Sequence, residues 1–91
     1  MVKKGRKEGT VRFVAPAMPN SREVCVAGDF TEWKPQRMRK QKNGAYAVTL
    51  PLNTGRHQYK FLVDDAWMLD PENDQYAVSP IGTTNSVASL A

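Results

Sequence analysis

Apolar residues in this chain recur at every second position, and no window of a dozen residues carries an apolar stripe with helical spacing. That period confines the fold to strands, because alternate side chains of an extended backbone point to opposite faces. Val11, Phe13 and Ala15 alternate with Arg12 and Val14. A turn cluster from Pro16 to Arg22 leads into Val24-Cys25-Val26, which Gly28-Asp29 ends. Residues 34–42 are polar and basic, and Asn43-Gly44 is a strong turn signal before the alternating Tyr46, Val48 and Leu50. The clearest strand runs over 56–63, with His57, Tyr59, Phe61 and Val63 on one face and Arg56, Gln58, Lys60 and Leu62 on the other. Asp64-Asp65 turns the chain into a short apolar run, Ala66 to Leu69. A polar loop then extends to Gly82, and Asn85 to Leu90 supplies a last alternating strand. Six or seven short strands separated by turns predict an all-β fold, an antiparallel β-sandwich. A chain of 91 residues has room for one such core.

Charge is unevenly placed. The net +4 of the chain falls within residues 1–12, and the remainder sums to zero. Residues 1–8 are polar, carry Gly5, and read as a flexible basic arm ahead of one domain over 9–91. A basic excess confined to an arm argues against a nucleic-acid partner, whose readers carry their positive field on the folded face. The +5 of Lys34, Arg37, Arg39, Lys40 and Lys42 reads as a solvated loop, since no aromatic residues interleave for base stacking. No run approaches the roughly 20 apolar residues of a membrane span. No signal peptide follows the basic start, so a cytoplasmic location is expected. One cysteine excludes an intramolecular disulfide and a cysteine metal cluster.

Candidate catalytic groups are few. His57, the only histidine, lies in phase with Tyr59 and Phe61 and has no Ser or Cys at a suggestive spacing, so it reads as a hydrogen-bonded structural residue. Cys25, between two valines, reads as an inert thiol. Asp64, Asp65, Asp70, Glu72 and Asp74 supply the carboxylates that glycoside hydrolysis needs, but they cluster in turns where such residues bond local backbone. Asp70 to Asp74 resembles a calcium loop yet lacks its glycine and terminal glutamate; Gln75 and Ile81 stand there. The chain reads as non-catalytic, with no metal and no cofactor.

Trp33 lies in a loop and Trp67 just after a turn. Aromatics so placed either fold back over the sandwich edge or form a binding platform. Position alone divides the two readings for Trp33 and favours burial of Trp67. Lys60 tilts the balance toward a platform, because it occupies the outward phase of the strand before the Trp67 turn. An aromatic face beside hydrogen-bond donors suits a neutral sugar.

Four segments carry a family resemblance. Gly28-Asp29-Phe30-Thr31-Glu32-Trp33 resembles the glycine–phenylalanine–tryptophan turn of carbohydrate-binding module family 48. That family includes the glycogen-binding domain of the AMP-activated protein kinase β subunit and the early-set N-terminal domains of isoamylase and branching enzymes. Gly55-Arg56-His57-Gln58-Tyr59-Lys60-Phe61 is similar to its Gly-x-His-x-Tyr-Lys-Phe strand. Val63-Asp64-Asp65-Ala66-Trp67 followed by Asp70-Pro71 is similar to its Val-Asp-Gly-x-Trp…Asp-Pro turn, with Asp65 where the family has glycine. Gly82-Thr83-Thr84-Asn85-Ser86-Val87 is similar to its closing segment.

The resemblance covers about residues 9–91 and implies an immunoglobulin-like sandwich of early-set type that binds α-1,4-linked glucans such as glycogen or starch without catalysis. Carried over by position, it implies stacking by Trp33 and Trp67, hydrogen bonds from Lys60 and Asn85, and a rim of Ile81 and Thr83. Ile81 is β-branched where leucine is common. The implied role is targeting or sensing on glycogen or another α-glucan; the alternative is a regulatory module docking onto a glycogen-metabolising enzyme or kinase.

Overall fold

The computed structural model describes residues 1–18, 20–78 and 81–90. Pro19 of the turn cluster, Ser79 and Pro80 of the polar loop, and Ala91 lie outside the described residues. The described strands are β1 (Val2–Lys4), β2 (Thr10–Ala15), β3 (Val24–Gly28), β4 (Gln36–Arg37), β5 (Arg39–Lys40), β6 (Tyr46–Pro51), β7 (Gly55–Val63), β8 (Ala66–Met68), β9 (Tyr76–Val78) and β10 (Thr84–Leu90). They form a four-stranded sheet, β1-β2-β6-β5, and a six-stranded sheet, β4-β3-β7-β10-β9, with β8 also paired to β7. All pairings are antiparallel, so the expected sandwich is the observed fold.

Alternation decides which side chains meet between the sheets. Val11, Phe13 and Ala15 of β2 are buried while Thr10, Arg12 and Val14 are only partly so. Val24, Val26, Tyr59 and Phe61 close the core from the other sheet, and Met38 plugs it where the chain passes from β4 to β5. The aromatic rings pack as a chain. Phe13 stacks on Phe30 at 5.2 Å and meets Tyr59 edge-on at 5.1 Å, and Tyr59 meets Phe61 edge-on at 5.8 Å.

The chain start departs from the expected flexible arm. Val2, Lys3 and Lys4 pair with Phe13, Arg12 and Val11, and Val2 packs against the core. Gly5 donates to the Thr10 carbonyl at 2.9 Å, closing the return from β1 into β2. Sequence pattern missed this strand because two of its three residues are lysines and its apolar contribution is one side chain. Strands β4, β5 and β9 were likewise read as loop. The first two are two-residue edge pieces with charged side chains, which suit an exposed sheet edge and mask any alternation. In β9, Tyr76 and Val78 stay exposed because it is the outermost strand of its sheet.

Asp70 bonds local backbone as its place in a turn suggests, and it is also fully buried. Its carboxylate accepts from the Tyr59 hydroxyl at 2.6 Å, from the Glu72 amide at 2.9 Å and from the Met1 amino group. Its own amide donates to Ser86 Oγ at 3.0 Å, and Asn73 Nδ2 donates to the Tyr59 oxygen and to the Val87 carbonyl. The Asp-Pro loop is thereby fastened across β7 and β10.

Burial pushes the Tyr59 hydroxyl well above the ordinary tyrosine value of 10, with the Asp70 carboxylate adding to the rise and the Asn73 amide opposing it. The unfolded chain loses this proton near pH 10 while the folded chain keeps it, so the associated stability is complete below pH 10 and falls above it. Tyr59→Phe should lower unfolding free energy at neutral pH by about 1–3 kcal/mol, since it removes a donor from a buried carboxylate. In urea titrations from pH 8 to 11, the variant should also lose stability less steeply than the wild type.

Candidate functional site

The outer face of the six-stranded sheet is built around β7. Tyr59 and Phe61 point inward, so Gln58 and Lys60 point outward, and the neighbours of β7 bring the remaining parts. On one side, Gly28 at the end of β3 pairs with Tyr59, and the chain leaves β3 through a single 3₁₀ turn, Asp29–Thr31, that leads to Trp33. On the other, a two-residue turn places Ala66 opposite Val63 and Trp67 opposite Leu62. Beyond it, Ser86 of β10 pairs with Tyr59, so the preceding Asn85 faces outward with Gln58 and Lys60.

The turn that carries Trp33 is held by specific bonds. The Asp29 carboxylate accepts from the Gln58 amide at 3.0 Å and lies 3.3 Å from His57 Nδ1. His57 Nε2 lies 2.9 Å from the Asn53 carbonyl and its ring meets Phe30 edge-on, which makes it the hydrogen-bonded structural histidine expected. The Gly28 amide donates to Thr31 Oγ1 at 3.1 Å, and the Trp33 amide donates to the Gly28 carbonyl at 2.9 Å. Glu32 and Trp33 both adopt left-handed backbone, at φ 55° and 60°. That conformation is costly for residues with a Cβ and is sustained by these bonds. Gly28 is required by space: a Cβ there would sit 2.5 Å from the Gln58 carbonyl and 2.5 Å from the Phe30 ring.

At the second turn Asp64 and Asp65 are again left-handed, at φ 47° and 69°, as a two-residue hairpin with the twist of its strands demands. Asp64 has a further task, accepting from the Arg22 and Glu23 amides at 3.0 and 2.9 Å. Among the described residues no comparable bond holds Asp65, the position where the resembled family has glycine.

All of Trp33, Lys60, Trp67, Ile81, Thr83 and Asn85 line one groove of about 550 Å³, joined by Asp29 and Gln58. Trp33 is 38% exposed, Trp67 52% and Ile81 86%. The burial favoured for Trp67 from its position is therefore corrected: β8 is too short to bring a covering layer, and its tryptophan lies on the sheet's outer surface. Asn85 is 4% exposed and donates from Nδ2 to Gln58 Oε1 at 2.8 Å, which fixes the orientation of both amides. Gln58 was legible as a groove residue, since it shares the period-two face with Lys60. Asp29 was not, because its place depends on how the 3₁₀ turn folds back onto β7. Lys60 has no ion pair among the described residues, so its ammonium faces the groove as a donor. The groove thus combines two exposed indole faces, an ammonium and oriented amides.

The other singled-out residues lie elsewhere. Cys25 is buried on β3, and burial followed by the Glu23 side chain pushes its thiol pKa up, which keeps it protonated and unreactive. The carboxylates of Asp64 and Asp70 are engaged with backbone and core as above, and no cluster able to hold a metal occurs among the described residues. No helix among them is long and apolar enough to cross a membrane.

Residues 18–90 match the family described as the glycogen recognition site of AMP-activated protein kinase. The chain is 40% identical over 63 residues to protein PTST homolog 2, chloroplastic, of Arabidopsis thaliana, covering 67% of this chain and 12% of that protein. It is 38% identical over 69 residues to the 5'-AMP-activated protein kinase subunit beta-1 of Sus scrofa, covering 76% of this chain and 55% of the relative. Against the Homo sapiens subunit beta-1 it is 36% identical over 69 residues, 76% of this chain and 25% of the relative. The chain thus spans about half or less of these relatives. A solved maltogenic amylase from S. marinus shares the fold, with a TM-score of 0.77 and 24% identity over 90% of this chain and 13% of its own.

Two substitutions check the local account. Asp65→Gly should raise stability by about 0.5–1 kcal/mol in thermal unfolding, because it removes left-handed strain where no side-chain bond is lost. Gly28→Ala should lower it by at least about 2 kcal/mol, since both close neighbours must shift.

Proposed function

We propose, for a chain that belongs to the family of the glycogen recognition site of AMP-activated protein kinase, that the outer groove binds α-1,4-linked glucans without catalysis, as a targeting or sensing module. The observation that carries this reading is the convergence of Trp33, Trp67, Lys60 and Asn85 on one open groove. Each indole offers an apolar face to the C–H face of a glucose unit. Lys60 donates to ring hydroxyls. The Asn85–Gln58 pair, with its amides already oriented, presents a fixed pattern of donor and acceptor to the edge of the sugar. Thr83 and Ile81 form the rim. An open groove suits an internal stretch of a polymer as well as a chain end.

A glucose face that buries about 80 Å² on an indole gains about 2 kcal/mol at about 25 cal/mol per Å². Two such stacks, less the ordering of a flexible glucan, give dissociation constants of roughly micromolar to millimolar. Retention on glycogen is then a matter of repeated encounters or several copies, which is how a targeting element works. Relatives that are subunits of a kinase fit the same role, in which the module brings a glycogen-metabolising enzyme or kinase to the polymer.

Affinity electrophoresis through glycogen-containing gels tests the proposal. The wild type should be retarded, and folded Trp33→Ala and Trp67→Ala variants should each bind about thirtyfold more weakly. Migration of the wild type unchanged by glycogen, or retardation of both variants equal to that of the wild type, would refute it.

A further inference from the structure

The basic chain start forms β1, the edge strand of the four-stranded sheet, on the side of the sandwich opposite the groove. There Lys4, Arg6, Lys7 and Arg12, with Gln41 and Thr49, line a hollow of about 560 Å³ completed by Gly5 and Thr10. No carboxylate lines it, and none of its four cations has an ion pair among the described residues. The charge that the sequence assigned to a loose arm is therefore gathered on a folded surface.

Its parts are positioned by the sheet. Arg12 is paired with Lys3 on one side and Thr49 on the other, and its guanidinium donates to Gln41 Oε1 at 3.3 Å. The loop between β1 and β2 is closed by the Gly5 amide on the Thr10 carbonyl and by the Thr10 hydroxyl donating to the Lys7 carbonyl at 2.6 Å. Arg6 and Lys7 are thus tied to the same hairpin that carries Arg12.

The composition of the wall selects the ligand. It has no apolar or aromatic side chain, so a lipid tail, a nucleobase or the aromatic anchor of a protein partner meets no complementary surface. What it offers is two guanidinium forks, the Lys7 ammonium, two hydroxyls and an amide, while Lys4, paired with the inward-facing Val11, borders it from β1. Guanidinium forks match phosphate oxygens bidentately and lysines add point charge. We infer that this hollow binds a phosphate monoester carried on a hydroxylated carbon skeleton, that is, a sugar phosphate, either free or as a phosphate ester on a glucan chain. The site is independent of the groove on the other face.

NMR titration of the ¹⁵N-labelled full chain in low salt separates the possibilities, with glucose 6-phosphate, maltoheptaose carrying a 6-phosphate, glucose, a glutamate-rich decapeptide and a single-stranded oligonucleotide as probes. Glucose 6-phosphate or the phosphorylated maltoheptaose should shift amides in residues 4–12 and near Gln41 and Thr49, and the tighter of the two identifies the source of the phosphate. An Arg6→Gln/Arg12→Gln variant should bind the phosphorylated probe at least about fivefold more weakly, while unphosphorylated maltoheptaose still shifts the Trp33 and Trp67 indoles as in the wild type. Glucose shifting the hollow as strongly, no response to either phosphorylated probe, or undiminished affinity in the variant would overturn the inference. So would tighter binding of the peptide or the oligonucleotide at the same amides. Failure of maltoheptaose to reach the indoles would count against the groove alone.

Discussion

Strand β7 is the constraint on which the rest depends. Its nine residues send Tyr59 and Phe61 into the core and Gln58 and Lys60 to the opposite surface. It pairs with β3 on one edge and with β10 and then β8 on the other. Each of those neighbours delivers one part of the groove: the Trp33 turn follows β3, Trp67 sits in β8, and Asn85 sits in β10. A one-residue slip in β7 would exchange its faces, burying Lys60 and exposing Tyr59, so core packing and groove geometry share one register. The same strand anchors the loops, through Asp29 on the Gln58 amide and through Tyr59 on Asp70.

The two faces of the sandwich divide the chemistry. The groove face carries exposed aromatic surface, oriented amides and a lone ammonium, suited to an uncharged chain of hydroxyls. The opposite face gathers basic side chains around a polar hollow. Core residues separate them, so a ligand on one face leaves the other free. The proposed glucan and sugar-phosphate sites can therefore be filled at the same time.

The strands that build the core were legible because each has one wet and one dry face. The run from Val11 to Ala15, the alternation in Tyr46 to Leu50 and the whole of β7 declared themselves by period two. The groove residues were legible through a resemblance whose four segments correspond to β7 itself and the three pieces of backbone that it assembles. What stayed hidden has a common cause. β4, β5 and β9 lie at sheet edges and show no dry face, and β1 contributes only Val2 to the core. The burial of Asp70 was not legible because its partner Tyr59 lies 11 positions away, on β7. The position of Trp67 taken alone pointed to burial, since exposure depends on what covers β8, which no local pattern records. The folding of the basic start onto the sheet rests on the Gly5–Thr10 return and the pairing with β2, and these convert an apparent tail into a surface.

The central claim is that both indoles lie against glucose rings in the bound state. Intermolecular nuclear Overhauser effects on the chain saturated with maltoheptaose test it directly. The expected result is contacts from the indole protons of both Trp33 and Trp67 to sugar C–H protons, with none from Tyr76. Contacts absent from both indoles, or confined to residues outside the groove, would contradict the account.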